Sequence, residues 1–166
     1  MLKPLLTACS LLVATTAFGT DQATVRVETT TLHGPRPLEK QTEAAVIRDY
    51  LQAWKTFGAA LDQNRVDLLD QDFVGTSKDK LTNTIRQQSQ LGIRTRYQDK
   101  AHDLQIVFYS PEGLSIQLVD NVEYDLQVVD HDKTITTQRV HARYIAILTP
   151  SEVRWRVRIF QAVPES

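Results

Sequence analysis

Apolar residues recur every three or four positions between residues 42 and 63, the spacing that places side chains on one face of an α-helix. This face consists of Val46, Tyr50, Trp54, Phe57 and Leu61. Thr42 is suited to the N-cap, because its hydroxyl can accept a hydrogen bond from a free backbone N–H group. Shorter apolar groups follow at residues 66–69 and 81–85. The first half of the chain therefore predicts one long helix followed by two shorter ones.

From residue 94 onward, apolar residues instead alternate with polar ones, as in half-buried β-strands. The alternation predicts strands over residues 102–108, 114–129, 135–148 and 153–160. Turn-forming residues separate these strands, among them Pro111, Gly113 and Pro150. Short connections between long strands favour an antiparallel meander, and helices followed by strands favour an α+β layer fold.

The last predicted strand has the most regular alternation in the chain. Its inward residues should be Val153, Trp155, Val157 and Ile159. Its outward residues should be Arg154, Arg156 and Arg158. Three interpretations of these arginines remain open: a solvated face beside carboxylates on neighbouring strands, a protein interface, and an anion-binding site.

The N-terminal segment differs from the rest of the chain. Lys3 is the only charged residue before position 21, and residues 5–18 are apolar or small. This combination predicts a signal peptide over residues 1–19 and export to the periplasm or the medium. Cys9 leaves a second possibility open, because Leu6-Thr7-Ala8-Cys9 resembles a bacterial lipoprotein box, which would anchor the protein through a lipid.

Residues 20–41 are polar and contain Pro35 and Pro37. They predict an extended linker, in which Val25 and Val27 could form a short edge strand. The folded domain is then expected over residues 42–163.

Composition and charge exclude some classes of function. The formal net charge of −1 provides no overall attraction for nucleic acid. The apolar N-terminal run is shorter than the roughly 20 residues needed to cross a bilayer, so no transmembrane segment is predicted. The four histidines lack the spacing of metal ligands, and no nucleotide-binding motif is present. Neither a metal nor a cofactor is therefore predicted.

The segment after the long helix reads Ala59-Ala60-Leu61-Asp62-Gln63-Asn64-Arg65-Val66-Asp67-Leu68-Leu69-Asp70-Gln71-Asp72-Phe73-Val74. It resembles the helix–turn–helix phrase of the NTF2-like superfamily, in which a polar turn precedes a hydrophobic pair and then an acidic residue before an aromatic one. The order of helices and strands over residues 42–162 is also similar. The resemblance implies a SnoaL-like or ketosteroid-isomerase-like α+β cone. In such a cone, N-terminal helices pack in the concave face of a curved antiparallel sheet of four to six strands.

Enzymes of this family place acid–base groups inside the cone, which makes the inward positions of this chain of interest. Asp120 lies between Leu118 and Val122, so a regular strand would direct its carboxylate toward the apolar face. Together with Tyr124 and His102, it is the candidate catalytic group. A β-bulge at Asp120 would instead turn the carboxylate outward.

Aromatic residues on the predicted inward faces could line a pocket for a small apolar ligand, or they could simply fill the core. These residues are Tyr50, Trp54, Tyr144 and Trp155.

Arginines on the predicted outward face lie beside an isoleucine, a mixture that suits a protein interface better than a nucleic-acid groove. The residues concerned are Arg139, Arg143, Ile145, Arg154, Arg156 and Arg158. They predict a homodimer formed through the sheet. The sequence thus predicts an exported ligand-binding or protein-interaction module. The alternative is a small cofactor-free isomerase or hydrolase that uses Asp120 and the pocket tyrosines.

Overall fold

The computed structural model describes residues 22–30, 32, 34 and 36–163. The predicted signal peptide and Cys9 lie outside the described residues. The described elements are, in chain order, β1 (Thr24–Val27), α1 (Lys40–Gln63), a 3₁₀ helix (Val66–Gln71), α2 (Gly75–Gln90), β2 (Ile93–Tyr109), β3 (Ile116–Asp130), β4 (Lys133–Pro150) and β5 (Trp155–Val163). Within the described ranges, neither helix is long and apolar enough to cross a membrane.

The described strands form one open sheet in the order β1-β2-β3-β4-β5. Strands β2 to β5 form the predicted antiparallel meander. Strand β1 pairs in parallel with β2, from Thr24 opposite Ala101 to Val27 opposite Leu104. A parallel pair needs a long crossover connection, which the intervening helices supply. The predicted α+β fold is confirmed, and β1 adds one parallel pair to the antiparallel sheet. Strand β1 forms within the predicted linker, and the domain boundaries stay predictions.

Helix α1 packs its apolar face against β2 and β5. Its buried apolar residues are Val46, Tyr50, Ala53, Trp54, Phe57, Ala60 and Leu61. The helix begins at Lys40, so the predicted N-cap at Thr42 is wrong; Glu39 occupies that position without a capping side-chain hydrogen bond. Asn64 ends the helix in the left-handed conformation, with φ of 54°.

Trp54 occupies the centre of the space between α1 and the sheet. Aromatic rings surround it at centroid distances of 5.1–6.4 Å. These rings belong to Phe57, Tyr97, His102, Tyr124, Tyr144 and Phe160. Edge-to-face and tilted ring pairs of this kind pack densely. The concave face of the sheet is therefore filled by side chains of the protein itself.

One-residue bulges interrupt the described strands at Lys100, Val107, Ile135 and Arg158. A bulge reverses which residues face inward, because side chains alternate with a period of two. After Val107, Phe108 faces outward and is 43% exposed, contrary to the inward position expected for it. The sheet therefore departs from simple alternation at places where the sequence shows no break.

The arginine-rich strand β5 differs from its prediction for the same reason. Residues 151–154 form a turn, in which Ser151 N–H bonds to Arg154 C=O at 2.9 Å. Val153 lies in this turn and is 81% exposed, so it is not a core residue. The bulge at Arg158 then places Ile159 opposite Ile147 on the outer face. Phe160 takes the inward position expected for Ile159.

Candidate functional site

Asp120, the central candidate among the predicted site residues, is fully buried. Alternation in β3 is unbroken from Ile116 to Val128, so Asp120 faces α1 and is 0% exposed. Its Oδ2 accepts a hydrogen bond from the Tyr50 hydroxyl at 2.8 Å. The same oxygen lies 2.7 Å from Nδ1 of His102. The structure thus brings Asp120 and His102 together, and the alternative of a bulge at Asp120 is not observed.

His102 links this buried carboxylate to a second one nearer the surface. Its Nε2 lies 3.9 Å from Oδ2 of Asp99, whose Oδ1 accepts a hydrogen bond from Trp54 Nε1–H at 2.7 Å. The bulge at Lys100 causes this arrangement, because residues 99 and 102 would otherwise face opposite sides of the strand. Sequence reasoning missed Asp99 for that reason, and no residue pattern indicates the bulge.

The two carboxylates determine the charge on His102. Burial alone would lower the pKa of the imidazole, but hydrogen bonds and charge attraction from Asp120 and Asp99 outweigh it and raise this pKa to about 9. At neutral pH His102 is therefore an imidazolium. Burial, with the adjacent Asp120, holds the pKa of Tyr50 well above its usual range. Tyr50 therefore remains a protonated donor to Asp120.

Among the described residues, the pair of Asp120 and His102 is approached along one edge of His102. A pocket of about 290 Å³ reaches His102 and is lined by Val25, Leu51, Trp54, Lys55 and Asp99 among others. Asp120 lies behind His102 and Tyr50, with no surface open to solvent. One of its oxygens, Oδ1, is buried and has no partner among the described residues. A molecule in this pocket would touch His102 and Asp99 but not Asp120.

The candidate pocket residues belong mainly to the core. Tyr50, Trp54 and Tyr144 are buried together with Tyr124 in one cluster. Burial holds the pKa of Tyr144 far above its usual range. Trp155 lies apart, with its ring 6.5 Å from that of Tyr109. These aromatic residues fill the concave face rather than enclose a cavity at Asp120.

Arg139, Arg143 and Ile145 share the outer face of β4, as expected. Arg139 is ion-paired with Asp125 and, at 2.7 Å, with Glu123 on β3. Beside them lies a group of apolar residues, called here the outer patch: Phe108 is exposed, Ile145, Ile147 and Ile159 are half-buried, and Val119 is 5% exposed. None of these belongs to the core cluster of the described residues. The outer patch is therefore a second apolar surface, on the side of the sheet opposite the helices.

Arg154 and Arg156 do not join that surface. Residues 72–74 run along the edge of β5, with Phe73 bridged to Val157. Arg154 reaches Asp72 at 2.9 Å, and Arg156 donates to the carbonyls of Asp70 and Phe73. Arg158 is exposed at the bulge. The arginines of the last strand thus separate into two places, and Arg154 and Arg156 contact the segment after α1.

Within residues 22–163, where the structure describes them, no group of three His, Cys, Asp or Glu side chains could hold a metal ion.

Comparison with known proteins supports the fold of this chain but assigns it no activity, ligand or partner. No family model matches the chain, and no curated protein matches it. The intermembrane space region of chloroplast protein ARC6 is similar with a TM-score of 0.62 and 14% identity, covering 78% of this chain and 100% of that one. A putative scytalone dehydratase from Novosphingobium aromaticivorans has a TM-score of 0.52 and 13% identity, covering 76% and 89%.

A weaker likeness is to an NTF-2 like protein of unknown function from Shewanella oneidensis, with a TM-score of 0.43 and 12% identity, covering 70% of this chain and 97% of that one. The predicted resemblance is confirmed: the chain has an NTF2-like α+β fold. At such low identity, these likenesses concern the fold alone.

Proposed function

We propose that this protein is an exported NTF2-like interaction module that binds other proteins, including a second copy of itself, and carries out no reaction. The observation that supports a non-catalytic role is the filled concave face. Trp54 lies 5.1 Å from Tyr144 and 6.0 Å from Tyr124, and Asp120 is 0% exposed. A substrate cannot reach a carboxylate that is closed off from solvent. The same filling argues against a small apolar ligand in the cone.

Self-association is proposed to use the outer patch. Val119 and Ile145 are neighbours on β3 and β4, and Ile147 and Ile159 are neighbours in the next row, on β4 and β5. Phe108 of β2 lies in that second row, separated from Ile147 by Gln117 of β3. An apolar surface that shares its face with arginines and carboxylates has the composition of a protein interface.

Sedimentation velocity tests this proposal on the purified mature protein. Wild type is expected to dimerise, and Ile145→Asp is expected to be monomeric because a carboxylate would be buried at the contact. Ile135→Asp is the matched control, since Ile135 is exposed at the end of the β3–β4 hairpin, away from the outer patch. A wild type that is monomeric at about 0.5 mM would refute the dimer, because a dimer with a Kd of about 0.1 mM or tighter is mostly associated at that concentration. Equal loss of dimer in both variants would also refute the outer patch as its interface.

Export is proposed from the N-terminal segment, and intact mass of the protein recovered from cells tests it. Cleavage near residues 17–19 is expected. A lipid on Cys9 would support the lipoprotein alternative, and an uncleaved chain would contradict export.

A cofactor-free isomerase or hydrolase remains the second candidate, favoured by the 2.7 Å contact between His102 and Asp120. It would require the pocket beside His102 to open as far as Asp120. The test is turnover of a β,γ-unsaturated ketone or an activated ester, with loss of turnover in Asp120→Asn. Turnover that persists in folded Asp120→Asn, or no turnover in wild type, would contradict this candidate.

A further inference from the structure

A cleft of about 670 Å³ lies between the outer side of α1 and the turn before β5. Its cationic lining residues are Arg48 and Lys55 from α1 and Arg154 from the turn, and its apolar lining residues include Leu51 and Val153. We call this the basic cleft. It lies on the helix side of the molecule and shares no residue with the outer patch.

Carboxylates hold the two arginines of the basic cleft in place from beneath. Asp49 is 6% exposed; its Oδ1 accepts from Arg48 Nε at 2.9 Å and its Oδ2 from Trp155 N–H at 2.8 Å. Asp72 is 3% exposed; its Oδ1 accepts from Arg154 at 2.9 Å and its Oδ2 from the Thr56 hydroxyl at 2.6 Å. Both oxygens of each carboxylate are thereby occupied within the protein.

The cations of the basic cleft keep donors available for a ligand. Arg48 and Arg154 each bind their aspartate through a single nitrogen, so other guanidinium N–H groups have no partner among the described residues. Lys55 is exposed and has no ion-pair partner among the residues at 22–163 that the structure describes. Guanidinium groups fixed by buried carboxylates are preorganised, which lowers the entropy cost of binding an anion.

An apolar contact accompanies these cations. Val153 is 81% exposed at the rim, and Leu51 is half-buried in the wall. A bare inorganic anion would leave both residues unused. A short peptide with carboxylates on either side of an apolar side chain would engage the cations and the apolar wall together.

We propose that the basic cleft binds an acidic segment of a partner protein, with its carboxylates on Arg48, Lys55 and Arg154 and an apolar side chain against Leu51 and Val153. This inference deepens the proposed interaction function by naming the chemistry of the partner. It does not depend on self-association through the outer patch.

Titration of ¹⁵N-labelled protein with a capped peptide, Asp-Glu-Leu-Glu-Asp, followed by NMR, tests the proposal. The amides of residues 48–55 and 151–155 are expected to shift. The neutral peptide Asn-Gln-Leu-Gln-Asn should bind at least tenfold more weakly, since tenfold is about 1.4 kcal/mol and each charge-assisted contact contributes about that much. Inorganic phosphate should bind more weakly than the acidic peptide.

Variants of the cleft supply the matched comparison. Lys55→Glu should weaken binding of the acidic peptide about tenfold, and Val153→Ser about threefold, because the first reverses a charge and the second removes apolar surface. Lys80→Glu makes the same charge change at an exposed position on α2 and should change affinity less than twofold. Neither lysine has a described partner, so both variants should fold.

Several results would overturn the proposal. In the titration, these are the absence of any amide shift with about 5 mM acidic peptide, or shifts confined to other surfaces. Among the ligands, they are equal affinity for the neutral peptide, or tighter binding of phosphate than of the acidic peptide. Among the variants, equal effects of Lys55→Glu and Lys80→Glu would also overturn it. The same titration on Ile145→Asp separates the two ideas. If Ile145→Asp is monomeric but still binds the peptide, the result refutes only a role for the dimer in peptide binding. If the wild type is a dimer but does not bind the peptide, the result refutes only the acidic partner.

Discussion

Raising the pH from 6.5 to 9 should strongly destabilise this protein through His102. The side chain is 4% exposed and lies between Asp120 on β3 and Asp99 on its own strand, with Trp54 of α1 packed against its ring. Lys55 lines the pocket in front of it. Both carboxylates favour the imidazolium, whereas burial opposes it.

The magnitude follows from the difference between the folded and unfolded pKa values. The pKa of His102 rises from 6.5 to about 9 on folding. Each unit is worth about 1.36 kcal/mol, so the free energy of unfolding should fall by about 3 kcal/mol across this range. The sign follows from proton binding: the folded state holds a proton that the unfolded state releases above pH 6.5. The stabilisation is complete below pH 6.5 and is lost as the pH approaches 9.

Urea unfolding at pH values from 6 to 9, monitored by fluorescence, measures this loss. The range stops at 9 because the buried tyrosines have raised pKa values and would add their own destabilisation above about pH 10. The ring protons of His102 report its pKa directly by NMR. Asp99→Asn should lower this pKa and reduce the loss of stability, while the amide oxygen can still accept from Trp54. His141→Gln removes an exposed histidine and should leave the loss unchanged.

A stability that stays constant between pH 6.5 and 9 would refute the reasoning. So would a pKa of His102 at or below 6.5, because burial would then outweigh both carboxylates. An unchanged pKa in Asp99→Asn would show that Asp99 does not act on the imidazole.

Three further changes test the core. Tyr50→Phe removes the hydroxyl that donates to Asp120 at 2.8 Å and should cost about 2 kcal/mol in urea unfolding, and a loss under about 0.5 would contradict this bond. Ser77→Ala removes a bond of 2.7 Å to Val157 C=O and should cost about 1 kcal/mol, with faster hydrogen exchange on β5. Trp54→Ala should cost about 3–5 kcal/mol and open a cavity, and failure of indole to raise its Tm would indicate that the core collapses instead.

Long regular patterns in the sequence were sufficient to predict the main layers. The helical face from Val46 to Leu61 and the alternation from Leu118 to Tyr124 require no distant information, because each repeats the same local geometry. They place Tyr50 on the inner face of α1 and allow Asp120 on the inner face of β3, and the structure shows the hydrogen bond between them. The sequence left the direction of Asp120 open between this position and a bulge, and it did not indicate the closure of Asp120 from solvent.

The remaining features depend on pairing between distant parts of the chain. Lys100, Val107 and Arg158 sit at bulges although none is a glycine or an asparagine, so no local preference marks them. Strand β1 pairs with a strand more than 70 residues later, across both helices. Asp99 meets His102 only because of a bulge. Register is decided by the sum of contacts across the whole sheet, which a short window of sequence does not contain.

The bulge at Arg158 also affects how relatives of this protein should be aligned. An alignment that assumes strict alternation through the last strand would match Ile159 with the inward residues of other members. Every later position would then be shifted by one residue. Phe160, which packs 4.8 Å from Tyr144, would then be compared with surface positions. A gap placed at Arg158 restores the correspondence. Substitution patterns at 159 and 160 are meaningful only once that gap is in place.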